Sequence, residues 1–97
     1  MFVIDLNYTS PLENLDTHMT DHVKFLRTYY KKNVFVASGR KVPRTGGIIL
    51  AIAQSKEEIQ AIMEKDPFCI HRLVEFTITE FKTSQFHPEL KRLLATK

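Results

Sequence analysis

Residues Leu12 to Tyr30 read LENLDTHMTDHVKFLRTYY. Apolar side chains fall at Leu12, Leu15, Met19, Leu26 and Tyr29, and the intervals alternate between three and four once His22 is counted. At about 100° per residue this predicts an amphipathic helix with His22 inside its buried stripe, between Met19 and Leu26. Glu13, Lys24, Arg27 and Lys31 take the opposite side. A leucine would pack better at position 22. An imidazole buried without a partner costs about 1–3 kcal/mol, so some acceptor must meet it. On pattern alone, a single histidine on such a stripe is more often a satisfied core residue than a catalyst.

The flanking sequence supplies the ends of this helix and the strands around it. Ser10-Pro11-Leu12-Glu13 is a capping-box start with proline at the first helical position, and Asp16 or Thr17 offers a second start. Lys31-Lys32-Asn33 suits a helix C-terminus: two cations at the negative end of the dipole, then a residue that tolerates the left-handed conformation. Before the helix, Phe2–Tyr8 alternates as a strand, with Phe2, Ile4, Leu6 and Tyr8 on one face. After it, Val34–Ser38 reads as a short strand, 39–46 as a polar loop, and Gly47–Ala53 as a strand apolar at every position from Ile48 onward, hence covered on both faces.

Ser55-Lys56-Glu57-Glu58 opens a second helix running to about Lys65, with Ile59, Ile62 and Met63 inward. Asp66-Pro67 stops it, because a residue before proline is driven out of the α region. Phe68–Ile70 reads as a connection, His71–Lys82 as a long strand, and 87–94 as a short amphipathic helix in a C-terminal tail. The order β-α-β-β-α-β predicts a ferredoxin-like α+β fold: a four-stranded antiparallel sheet with both helices on one face. The other face would carry Val3, one set from Ile48–Ala53, Leu73 and Phe81. An apolar sheet face of that kind predicts a homodimer through the sheet.

With 97 residues, the chain reads as a single domain over 1–97, with a core over 1–85 and a tail over 86–97. Cys69 is the one cysteine, so no internal disulfide is expected. Cys69 and His71 are spaced for a metal but lack further nearby ligands, and no metal site or cofactor is expected. Neither a Walker motif nor a dinucleotide fingerprint is present. The longest apolar run, Ile48–Ala53, is far short of a membrane span, and no charged-then-apolar leader opens the chain, which predicts a cytoplasmic protein. The net charge of +3 reads as a solvated face rather than a nucleic-acid footprint. The ferredoxin-like topology also serves RNA, but Gly47–Ala53 offers no aromatic for base stacking.

Asp21-His22-Val23 with Phe25-Leu26, then Ser38-Gly39, then Gly46-Gly47 opening a strand, then Asp66-Pro67-Phe68, resembles the YCII-related (YciI-like) family over roughly residues 1 to 85. The resemblance implies a dimeric α+β barrel, in which two ferredoxin-like sheets pack face to face. It also implies a cleft holding a histidine and an aspartate, which by position are His22 and Asp66. One position departs from the pattern: Arg40 follows Ser38-Gly39 where many members carry proline.

In this fold the mid-helix His22 and Asp66, at the end of the second helix, can meet. A carboxylate on one imidazole nitrogen fixes the tautomer and leaves the other nitrogen as base or acid. The alternative is that Asp66 only caps a turn before Pro67. Around the hairpin, Ser38, Gly39, Arg40 and Arg44 could hold an anion or a phenolate oxygen, or be a solvated basic tip. Tyr8 and Phe68 could line an aromatic pocket, or pack the core. Neither His18 nor His87 has a visible partner. Two functions fit: a small cofactor-independent enzyme performing elimination or hydrolysis on a small aromatic or anionic molecule, or a non-catalytic small-molecule-binding or sensing dimer.

Overall fold

In the computed structural model, which describes residues 1–95, the alternation at the start of the chain becomes β1 (Phe2–Tyr8). Phe2, Ile4 and Leu6 are buried on one face, while Val3 and Asp5 are half-buried on the other. Three strands join it, β2 (Phe35–Arg40), β3 (Gly46–Ala51) and β4 (Val74–Glu80), all antiparallel in the order β2-β3-β1-β4. Ile4 sits opposite Ile49 on β3 and opposite Ile78 on β4. One row of branched side chains therefore crosses the sheet on a single face, the packing unit that stabilises a sheet.

The helices are α1 (Leu12–Thr17), α2 (Met19–Lys31), α3 (Lys56–Met63), α4 (Pro67–Ile70) and α5 (Lys91–Leu94), with a 3₁₀ turn at Pro88–Leu90. Leu15, Phe25 and Tyr29 from α1 and α2, Ile59, Ile62 and Met63 from α3, and Phe68 from α4 enter one core with Phe2, Ile4 and Leu6. The helices thus cover one face of a four-stranded antiparallel sheet, the ferredoxin-like α+β architecture expected from the element order. Ser55 accepts from Glu58 N at 3.2 Å, and Glu58 accepts from Gln54 N at 3.0 Å, which starts α3 where the capping box placed it. Asn33 adopts φ 58°, the left-handed conformation expected after α2.

Several elements depart from the sequence reading. The first helix breaks at His18, whose N–H bonds Leu15 O at 3.1 Å in a tightened last turn. Thr17 Oγ1 donates back to Glu13 O at 2.9 Å, and neither Ser10 nor Thr17 caps a helix. The buried stripe is displaced too. Phe25, not Leu26, is the deeply buried residue of α2 beside Tyr29, and Leu12 is 43 % exposed. β2 continues through Gly39 to Arg40, which shortens the hairpin loop to 41–45, and β4 is shorter than the expected strand. Phe68–Ile70 lies in helix rather than in a connection.

The helix-free face is more polar than expected. Leu73 belongs to the core instead of this face. By register, Val3, Asp5 and Asn7 share the face with Ile48, Leu50, Glu75, Thr77 and Thr79. Lys41 Nζ bridges Asp5 Oδ1 at 2.6 Å and Asn7 Oδ1 at 2.8 Å across it. In the tail, the expected helix is split between the 3₁₀ turn and α5, and positions 96 and 97 lie outside the described residues.

Candidate active site

Pro67 sets the site in motion. It holds Asp66 extended at φ −66°, ψ 127°, where the aspartate caps α4 and Oδ1 accepts from Phe68 N at 3.1 Å. The same Oδ1 lies 2.8 Å from His22 Nδ1, across 44 positions of sequence. Asp66 is completely buried, and its Oδ2 has no hydrogen-bond partner among the described residues. Capping and pairing are therefore not alternatives: one oxygen does both. An Nδ1–H donated to that carboxylate leaves the Nε2 lone pair of His22 unused. Nε2 has no partner among the described residues and is not among the buried unsatisfied atoms, so it reaches open space.

His22 lines a cleft of about 150 Å³ between α2 and the sheet. Met19, His22, Val23 and Leu26 form the helix wall, Leu6, Gly47 and Ile49 the sheet floor, and Tyr8 and Phe68 one end. The displaced stripe explains this wall. Phe25 and Tyr29 turn into the core, while the neighbouring Leu26 turns to the cleft. The Phe68 ring lies flat on the His22 imidazole, centroids 3.9 Å apart and planes 7° from parallel. Tyr8 meets Phe68 edge-on at 6.5 Å.

Ser38 and Arg40 line the cleft from β2. They pair opposite Ile49 and Gly47, so both side chains stand on the helix side of the sheet. Ser38 Oγ is 2.6 Å from Tyr30 Oη. The Arg40 guanidinium makes no ion pair among the described residues. Gly39 lines the cleft too, and sits in the ladder opposite Ile48 with no positive φ.

Arg44 is turned away from the cleft lining. Its Nη2 bonds Asp16 Oδ1 at 2.6 Å and its guanidinium lies 6.0 Å from the centre of the Tyr8 ring. Hydrogen bonds to Asp16 and then Tyr8 hold its pKa above the ordinary value. His18 stacks on His71 at 3.9 Å, and His87 Nδ1 accepts from Glu89 N at 3.1 Å, giving both histidines partners that the sequence left unseen. Burial first, then the charges of Asp66 and Glu64, pushes the Cys69 thiol up to about 12, which makes it a poor nucleophile at neutral pH. Tyr30 was missed by the sequence reading. Its signal was present in the interval of four that links His22, Leu26 and Tyr30 along one side of α2.

A ferredoxin-like α+β chain with a histidine–aspartate contact at the mouth of a small cleft is the class that the fold defines. The YCII-related domain model matches residues 1–82, and the chain belongs to that family. Among solved structures it is similar to 5-chloro-2-hydroxyhydroquinone dehydrochlorinase from Burkholderia phenoliruptrix in complex with 2,5-dihydroxybenzoquinone. The TM-score is 0.71 at 19 % identity, covering 84 % of this chain and 94 % of that one. At that identity the likeness is one of fold. No curated protein matches the chain.

Proposed function

We propose that this protein is a small enzyme that uses His22 and Asp66 for acid–base chemistry on a small aromatic or anionic molecule, by elimination or hydrolysis. The observation that carries the reading is the 2.8 Å contact of His22 Nδ1 with buried Asp66, in a histidine that lines the cleft. In an elimination, Nε2 takes a proton from the ligand. The electron pair left behind forms the new double bond as the leaving group departs with its own pair. The imidazolium formed is stabilised by the Asp66 carboxylate. A cavity near 150 Å³ is the size that accepts a benzene ring, and Arg40 supplies charge for an anionic substituent. These residues would act without a cofactor.

The dehydrochlorinase of like fold suggests the first assay: chloride release from 5-chloro-2-hydroxyhydroquinone, with binding of 2,5-dihydroxybenzoquinone followed by calorimetry. Turnover that is lost in His22→Ala supports the proposal. Turnover unchanged in that variant overturns it.

The protein is further proposed to form a homodimer through its helix-free sheet face. Half-buried Val3, Ile48 and Leu50 support this, since they remain uncovered in the single chain. A stable interface of about 1,200–2,000 Å² would cover them. Light scattering at micromolar concentration checks it: a mass near the 11.3 kDa of one chain refutes the dimer.

A further inference from the structure

The β2 end of the cleft holds a hydrogen-bond relay that the acid–base pair does not use. Tyr30 Oη and Ser38 Oγ are 2.6 Å apart, short for two hydroxyls, so one proton lies between them. Either hydroxyl can donate in this contact, and the phenol, a far stronger acid than an alkyl alcohol, is the better donor of the two. The ring that carries this hydroxyl is held edge-on by buried Phe35, centroids 6.1 Å apart. Ser38 then accepts, and its own proton must turn elsewhere. Ser38 makes no other hydrogen bond among the described residues, and its side chain stands on the cleft side of β2. Two residues along the same strand face, Arg40 brings a guanidinium that makes no ion pair among the described residues. No lining residue is acidic.

We infer that Tyr30 is a positioning residue: its phenol turns the Ser38 hydroxyl proton into the cleft, so that the β2 end donates to a phenolate or enolate oxygen of the ligand. This rests on the reading of the cleft as a small-molecule site. Donation from Tyr30 polarises the Ser38 hydroxyl and strengthens its own donation, because hydroxyls in a chain reinforce one another. The cleft is thereby polar in a defined sense. Its α2 wall presents a lone pair at His22 Nε2 to take a proton, and its β2 end presents donors to hold the negative oxygen that results. A ligand with an amine in place of that oxygen would set donor against donor.

The test uses two probes of equal size, pentafluorophenol as its anion and pentafluoroaniline, with binding to the whole protein followed by fluorine NMR. The wild-type protein is expected to prefer the phenolate by about tenfold or more, the worth of a charge-assisted hydrogen bond. Tyr30→Phe keeps the ring against Phe35 and removes only the hydroxyl. It should cut that preference several-fold and leave aniline binding unchanged. Because Tyr30 acts through Ser38, the double variant Tyr30→Phe/Ser38→Ala should lose no more preference than Ser38→Ala alone. The inference is overturned if Tyr30→Phe keeps the full preference, if the two losses add, or if the wild-type protein shows none. The readout is binding. A cleft that discriminates in this way yet turns nothing over leaves the inference standing and overturns only the catalytic reading.

Discussion

The His22 imidazole lies flat on the Phe68 ring, 3.9 Å between centroids, while its Nδ1 lies 2.8 Å from Asp66 Oδ1. The two constraints share one origin. Asp66 Oδ1 also receives the N–H of Phe68, so the carboxylate that grips the histidine places the ring beneath it. A side chain held at one ring nitrogen and on its face has little freedom left, as the acid–base role proposed for His22 would require.

Replacing Phe68 by Leu should therefore separate packing from positioning. The side chain is buried in the core, and leucine keeps much of its volume. Loss of the ring contact is expected to cost about 0.5–1.5 kcal/mol beyond the area term. Chemical denaturation would show that modest loss, while turnover in the chloride-release assay should fall more steeply, because the imidazole loses its flat support.

The His22–Asp66 contact makes a distinct prediction for stability. His22→Leu leaves the fully buried Asp66 carboxylate with only the Phe68 N–H. Losing a hydrogen-bond donor to a buried charged group costs about 1.5–3 kcal/mol, so the melting temperature should fall. Adding Asp66→Asn removes the stranded charge and keeps an N-cap acceptor for α4. The double variant should recover much of the loss without recovering turnover. Equal melting temperatures for the single and double variants would show that the buried Asp66 does not depend on the His22 donor.

Two glycines should respond oppositely to alanine. A Cβ at Gly46 would collide with the Leu6 carbonyl oxygen, which is held in the β1–β3 ladder and cannot yield. Gly46→Ala is expected to lose about 3 kcal/mol or more, at the upper end of overpacking costs. A Cβ at Gly39 meets nothing within 4 Å. Gly39→Ala should be neutral or slightly stabilising, since it only restricts the unfolded chain. Urea midpoints of the two variants, measured side by side, check the contrast.

Cys69 supplies a pH dependence. Its thiol is pushed from 9.0 up to about 12, by burial foremost, so the folded chain keeps a proton that the unfolded chain gives up. The stability from burying the neutral thiol is whole below about pH 9 and is lost as pH rises toward 12. Cys69→Ala should flatten that part of the stability–pH curve. At neutral pH, iodoacetamide should label the folded protein far more slowly than the denatured chain.

Local periodicity determined a good deal of this molecule. Alternation over Phe2–Tyr8 defined β1 and its buried face, Ser55 and Glu58 marked the start of α3, and Asp66-Pro67 marked where the chain leaves it. Those signals depend on neighbours two to four residues away, and such neighbours are set by backbone geometry alone. The order of the elements then implied the sheet, and the resemblance pointed to His22 and Asp66, which meet at 2.8 Å. What only the tertiary structure decided is which way side chains turn once the layers close. Phe25 took the core and Leu26 the cleft, Arg44 turned to Asp16 while Arg40 stayed at the β2 end, and Phe68 came to lie beneath His22. Each choice depends on a contact partner far away in sequence, 28 positions for Arg44 and 44 for His22 with Asp66. Helical periodicity places a residue on a face but cannot say what stands opposite, because that is settled by packing the whole sheet against its helices at once.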